Sequence, residues 1–143
     1  MANFDDITTS GNVTTGALFI GAQSSSGEQA AISPTVVPAL AAGANHNVVL
    51  TGYNGIGYEV FQVSGASGAI LSGCTTDNPA GINIQPGQKL VLVNTGANAI
   101  DVAANDGASL LKFALAHSIG AKAAVEYIYV GGLFYPLYAA ATV

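Results

Sequence analysis

Any chemistry in this chain has to be built from very few side chains. His46 and His117 are its only histidines and Cys74 its only cysteine. Together they could supply three ligands to a zinc ion, but zinc ligands usually come in close pairs along the chain, and no such pair occurs here. No metal and no cofactor is expected. Asp101, Asp106 and Glu126 could act as acid and base if neighbouring strands brought two of them together. The competing reading makes them the polar side of turns and strand faces. Serines are plentiful, yet none lies in the Gly-x-Ser-x-Gly elbow that would expose and activate it. Cys74 has no partner for an internal disulfide, and as a small apolar side chain it fits a core better than a reactive site. Asn12-Val13-Thr14 has the form of a glycosylation acceptor, with no export signal to make use of it. The inventory reads as non-enzymatic.

Charge narrows the partners. The net charge is −5, there is no arginine, and Lys89, Lys112 and Lys122 are the only permanent cations. Nucleic-acid binding starts from a basic patch that neutralises phosphates, and none can be assembled. Adhesion to an anionic membrane surface fails for the same reason. Residues 127–143 are uncharged, but Gly131-Gly132 and Pro136 interrupt them, which suits a hairpin better than a membrane span. The acidic start, with Asp5 and Asp6, is unlike a secretory signal. Charged residues make up 8% of the chain, against about 25% in an ordinary soluble protein, so much of the surface is expected to be covered by further copies or a partner.

The elements that would carry these side chains read as strands. In 82–102, Pro86-Gly87 marks a turn, Leu90-Val91-Leu92-Val93 is an apolar run whose two faces both avoid water, and Asn94 to Asn98 form the next turn. Ile100 and Val102 then share one face of a returning strand. Residues 1–12 form a polar arm. Residues 13–22 predict a strand around Leu18, Phe19 and Ile20, and 23–29 a Ser-rich loop. Pro34 and Pro38 rule out a helix over 30–44 and leave an extended segment or an edge strand. Short apolar runs follow at 47–51, 57–64 and 69–72. Asn105-Asp106-Gly107 is a turn, and 110–115 fits one helical turn or a strand. The segments 123–130 and 133–138 flank Gly131-Gly132 as a hairpin. About eight short strands at this spacing predict an all-β domain over 13–143, an antiparallel β-sandwich or jelly-roll-like barrel, with no sequence repeat of fixed period.

Tyr127, Tyr129, Phe134, Tyr135 and Tyr138 concentrate aromatic area in the last hairpin. They could form a binding surface, since tyrosine joins a large apolar area to a polar tip, or pack across the core.

The Pro86-Gly87 turn, the branched run into Asn94-Thr95-Gly96, the Ile100-Asp101-Val102 strand and the late Ala123 to Val130 strand before an aromatic one resemble a unit of tailed-phage structural proteins. The resemblance spans 82–138, and within that group size, acidity and low charge resemble the capsid decoration (cement) proteins. It implies a β-rich homo-oligomer, a trimer, made in the host cytoplasm and seated on the outside of the head against the major capsid protein. Candidate interface residues are Phe4 and Ile7 in the arm, Leu90 and Leu92 in the central run, and Tyr127, Tyr129, Tyr135 and Tyr138 in the hairpin. A tail- or head-fibre domain that binds a host glycan is the alternative.

Overall fold

The computed structural model describes residues 34–55, 58–81 and 83–137, all within one compact unit. The expected arm at 1–12 and the expected strand at 13–22 lie outside the described residues. The described residues form eleven short strands and one 3-10 turn, Pro79–Gly81. The expected β class holds.

The winding differs from the antiparallel sandwich or jelly-roll expectation. Three strands, β1 (Thr35–Val36), β2 (Gly43–Asn45) and β3 (Val48–Val49), make one circuit. The next circuit, β4 (Tyr58–Val63), β5 (Ala69–Leu71) and β6 (Cys74–Thr75), lies on the first in parallel, strand for strand. A third begins with β7 (Lys89–Asn94) and β8 (Ile100–Val102), parallel to β4 and β5. The first half is thus a three-sided parallel coil. Thr35 lies against Phe61 and Phe61 against Leu92, advances of 26 and 31 residues. The extra length falls at the corner between β6 and β7, which holds Pro79–Gly81. Parallel neighbours need a long crossover, and here the strands of the other two sides supply it.

Leu111 closes the third side, exchanging backbone hydrogen bonds of 2.9 and 2.8 Å with Cys74. The chain then reverses. β9 (His117–Ile119) runs antiparallel to β8, β10 (Ala124–Val130) antiparallel to β7, and β11 (Leu133–Pro136) antiparallel to β10. The result is a five-stranded sheet in the order β1-β4-β7-β10-β11, a four-stranded sheet β2-β5-β8-β9, and the pair β3-β6. Among the described residues, antiparallel pairing is confined to the Cys74–Leu111 bridge and this returning half, and no sheet closes into a barrel.

Local chemistry explains the corners. Gly131 and Gly132, at φ 59° and 88°, make the tight turn between β10 and β11, as the sequence predicts. Pro86-Gly87 turns as predicted, with Gly87 at φ 92° and the Gln88 N–H donating to the Gln85 carbonyl. Thr35–Val36 is an edge strand beside Pro34, again as predicted. The segment 110–115 is neither helix nor strand, and touches β6 and β11 through isolated bridges at Leu111 and Phe113. The Asn94 to Asn98 turn carries the chain from one sheet into another instead of closing a hairpin. Asn94 is fully buried there, its amide donating to the carbonyls of Asn98, Ile119 and Gly120 while its Oδ1 accepts from the Gly96 N–H. One side chain thus satisfies backbone groups that a sharp corner leaves without sheet partners.

The inner faces of the sheets meet in one core. Leu90, Leu92, Ile100, Leu71, Phe113, Tyr127 and Phe134 are fully buried in it. Tyr127 stacks on Phe113 at 5.0 Å between ring centres, and Phe134 on Tyr129 at 5.1 Å.

Candidate functional site

The alternation of side chains along the five-stranded sheet decides what it presents outward. Leu90, Leu92 and Asn94 point inward with their neighbours Phe61 and Val63, so Lys89, Val91 and Val93 take the outer face. Register adds Val60 and Gln62 from β4, Val36 from β1, Ala124, Glu126, Ile128 and Val130 from β10, and Leu133 and Tyr135 from β11. Val36 is 68%, Val130 48% and Tyr135 40% exposed. The charged side chains described on this face, Lys89 and Glu126, pair with each other at 3.5 Å. The outer face of the four-stranded sheet carries Asp101 and Ser118 beside Ile70, the mixed surface usual for a solvated sheet. An exposed sheet face dominated by valine, isoleucine, leucine and tyrosine is the feature of this molecule that asks for a partner.

The predicted interface residues divide accordingly. Tyr135 lies on the outer face. Leu90, Leu92 and Tyr127 are fully buried in the core and have no surface to offer a partner; strand parity turns Val91 and Val93 outward instead, with Val93 half-buried and Val91 only 8% exposed. Tyr129 also points inward and packs partly buried against the core. Phe4, Ile7 and Tyr138 lie outside the described residues. The aromatic hairpin thus serves the core through Tyr127, Tyr129 and Phe134, and the surface through Tyr135.

The chemically suggestive side chains are dispersed. Cys74 is buried, and burial pushes its thiol up to about 12, far from thiolate chemistry. His117 is buried with both ring nitrogens engaged: Nδ1–H donates to the Leu115 carbonyl at 2.8 Å, and Nε2 accepts from the Tyr127 hydroxyl at 2.7 Å. Burial lowers its pKa, so the imidazole stays neutral, and burial raises that of Tyr127. The Tyr53 phenol is likewise raised by burial and by nearby Glu59. Asp101 stands on the exposed side of β8, and Glu126 pairs with Lys89. Among the described residues no group of His, Cys, Asp and Glu is arranged to hold a metal ion.

A cluster not foreseen in the sequence joins His46, Asp106 and Ser109. His46 Nδ1 donates to Asp106 Oδ2 at 3.0 Å, and Ser109 Oγ donates to the same oxygen at 2.6 Å. The two hydrogen bonds, His46 first and then Ser109, hold the Asp106 carboxyl down to about 2. The residue types match a catalytic triad but the wiring does not. The serine proton goes to the carboxylate instead of the imidazole, and Ser109 Oγ also accepts from the Asn47 N–H. Ser109 is buried where a Cβ on Gly73 would lie 2.4 Å from its own Cβ. With Asn47 Nδ2 donating to the Ala108 carbonyl, the cluster bolts the corner between β2 and β3 to the turn at 105–109. A cleft of about 180 Å³ lies elsewhere, between Gly52, Tyr53 and Asn54 on one side and Asp77, Asn78 and Gly81 on the other.

No protein-family model, no curated protein and no solved structure matches the chain.

Proposed function

We propose that the protein is a structural virion component, a capsid decoration (cement) protein that self-associates and binds the major capsid protein on the outside of a phage head. The observation that supports this reading is the apolar outer face of the five-stranded sheet, which suits a protein used in assembly. A parallel coil sealed by a returning hairpin is a fitting brace, with β7 at its centre held by β4 on one side and β10 on the other. The resemblance across 82–138 supplies the capsid. In this reading the N-terminal arm, with Phe4 and Ile7 as its apolar anchors, fastens the β-body to the head. Co-sedimentation with capsids that lack the protein tests it. The full chain should pellet with them, and deletion of residues 1–11 should weaken binding while leaving the β-rich circular dichroism intact. Equal binding by the shortened chain would remove the arm's role, and failure of the full chain to bind would overturn the reading.

The cleft beside Asp77 and Asn78 favours a second reading, a fibre domain that binds a host glycan. Asp77 and Asn78 present oxygen and amide groups of the kind that recognise sugar hydroxyls. Asp77 Oδ1 already accepts from the Gly52 N–H and the Thr76 hydroxyl, which gives it a structural task as well. Glycan-array binding that is lost in Asp77→Ala would favour this reading over the capsid one.

A further inference from the structure

We propose that the outer face of the five-stranded sheet is covered by a second copy of this chain, packed face to face about a two-fold axis. The inference rests on the reading of that face as an assembly surface and names its occupant, a two-fold pair in place of the trimer that the resemblance implies.

Three observations single out a second copy. The first is charge. Each chain carries −5, so two copies repel over most orientations. On the outer face Lys89 and Glu126 cancel, leaving a neutral patch through which like-charged molecules can approach.

The second is self-complementarity. A two-fold interface sets the same patch against itself, so it must satisfy its own charges. Rotation about an axis near Val91 brings Lys89 of one copy towards Glu126 of the other, and the reverse, while valine, isoleucine and leucine meet around them. An uncharged partner would leave the Lys89–Glu126 pair as it is, whereas a second copy adds a reciprocal Glu126 and Lys89 across the axis.

The third is size. The five strands, two to seven residues long, at a spacing of about 4.8 Å and about 3.3 Å per residue, give a flat footprint of roughly 400 Å². That is about half of the roughly 800 Å² per partner of a standard stable interface, which suits a dimer of modest affinity. Val36, Val130 and Tyr135, exposed towards the margins, would be covered, and half-buried Val60, Val93 and Ile128 would form the centre.

Sedimentation equilibrium of the full chain, without capsids, tests the proposal. The expected mass is twice that of the 14.2 kDa chain. Val130→Asp with Tyr135→Asp, both at exposed positions, should raise the dimer dissociation constant about 10-fold or more with circular dichroism unchanged. Lys89→Glu alone and Glu126→Lys alone should each weaken the dimer by setting like charges face to face, and the double exchange should restore it. A monomeric or trimeric wild type, or a dimer indifferent to all four variants, would overturn the proposal. The capsid reading stands or falls separately. A monomer that still decorates capsids sinks the pairing alone, and a dimer that ignores capsids keeps the pairing and sinks the decoration role.

Discussion

His117 shows how a single residue ties this fold to pH. Its ring is neutral and fully engaged in the core, and burial pushes its pKa below the ordinary value of 6.5. The unfolded chain therefore takes up a proton near 6.5 that the folded chain refuses. The stabilising contribution is complete above 6.5 and declines as pH falls towards the lowered folded value, by at most about 1.4 kcal/mol per pH unit for one proton. Urea unfolding of the wild type should show that decline just below 6.5, and His117→Gln should lack it. Equal pH slopes in the two proteins would refute the assignment. A second decline, between 3.8 and about 2, should follow from Asp106, whose depressed carboxyl stabilises the fold only while ionised. It should shrink in Asp106→Asn. At this scale the sequence was informative about type and silent about place. Cys74 reads as a core residue and is one. The link from His46 to Asp106 spans 60 residues and depends on the winding of the chain, which no local spacing encodes.

At the scale of elements, local signals were legible and long-range ones were not. Gly131-Gly132 and Pro86-Gly87 announce their turns because φ preference is intrinsic to those residues. The run from Leu90 to Val93 announces burial on both faces, and it sits mid-sheet with Val91 only 8% exposed. Which neighbours it takes, and whether they run parallel, is absent from the run itself. Stacked positions hold dissimilar residues, Thr35 on Phe61 on Leu92 and Ala44 on Ile70 on Asp101, so the repeat exists in register without existing in sequence. The contact between the corner at Gly73 and the 105–109 turn offers a test of the winding. Gly73→Ala should cost about 1–3 kcal/mol, because its Cβ would overlap Ser109 and has no room to move. In a Ser109→Gly background the same change should cost clearly less, leaving only the Leu111 carbonyl at 3.0 Å to accommodate. Additive effects in urea unfolding would show that the two segments do not touch.

For the molecule as a whole, the returning half is what completes the coil. β10 covers the edge of β7, and Tyr127 and Phe134 close the core from that side. A chain ending at Gly120 should therefore fail to hold the first two circuits, because the β7 edge would be bare and Leu90 and Leu92 open to water. Circular dichroism and limited proteolysis of the truncated chain should show loss of structure. A protease-resistant, β-rich fragment would mean that the parallel circuits stand alone. The all-β class was legible at this scale from the density of short branched runs and corners. The parallel winding was not, since a strand bounded by turns reads the same whether its successor folds back beside it or moves on to another side.

The two circuit lengths have a practical consequence. Between β6 and β7 the chain already accommodates surplus residues, Pro79, Ala80 and Gly81 among them, at an exposed corner, while the strands above and below keep their registers. A corner that absorbs natural length variation without disturbing the ladder is a natural place to splice in foreign sequence. Epitopes, affinity tags or small reporter peptides grafted between Ala80 and Gly81 should be displayed outward at one defined height on the coil, away from the outer face of the five-stranded sheet.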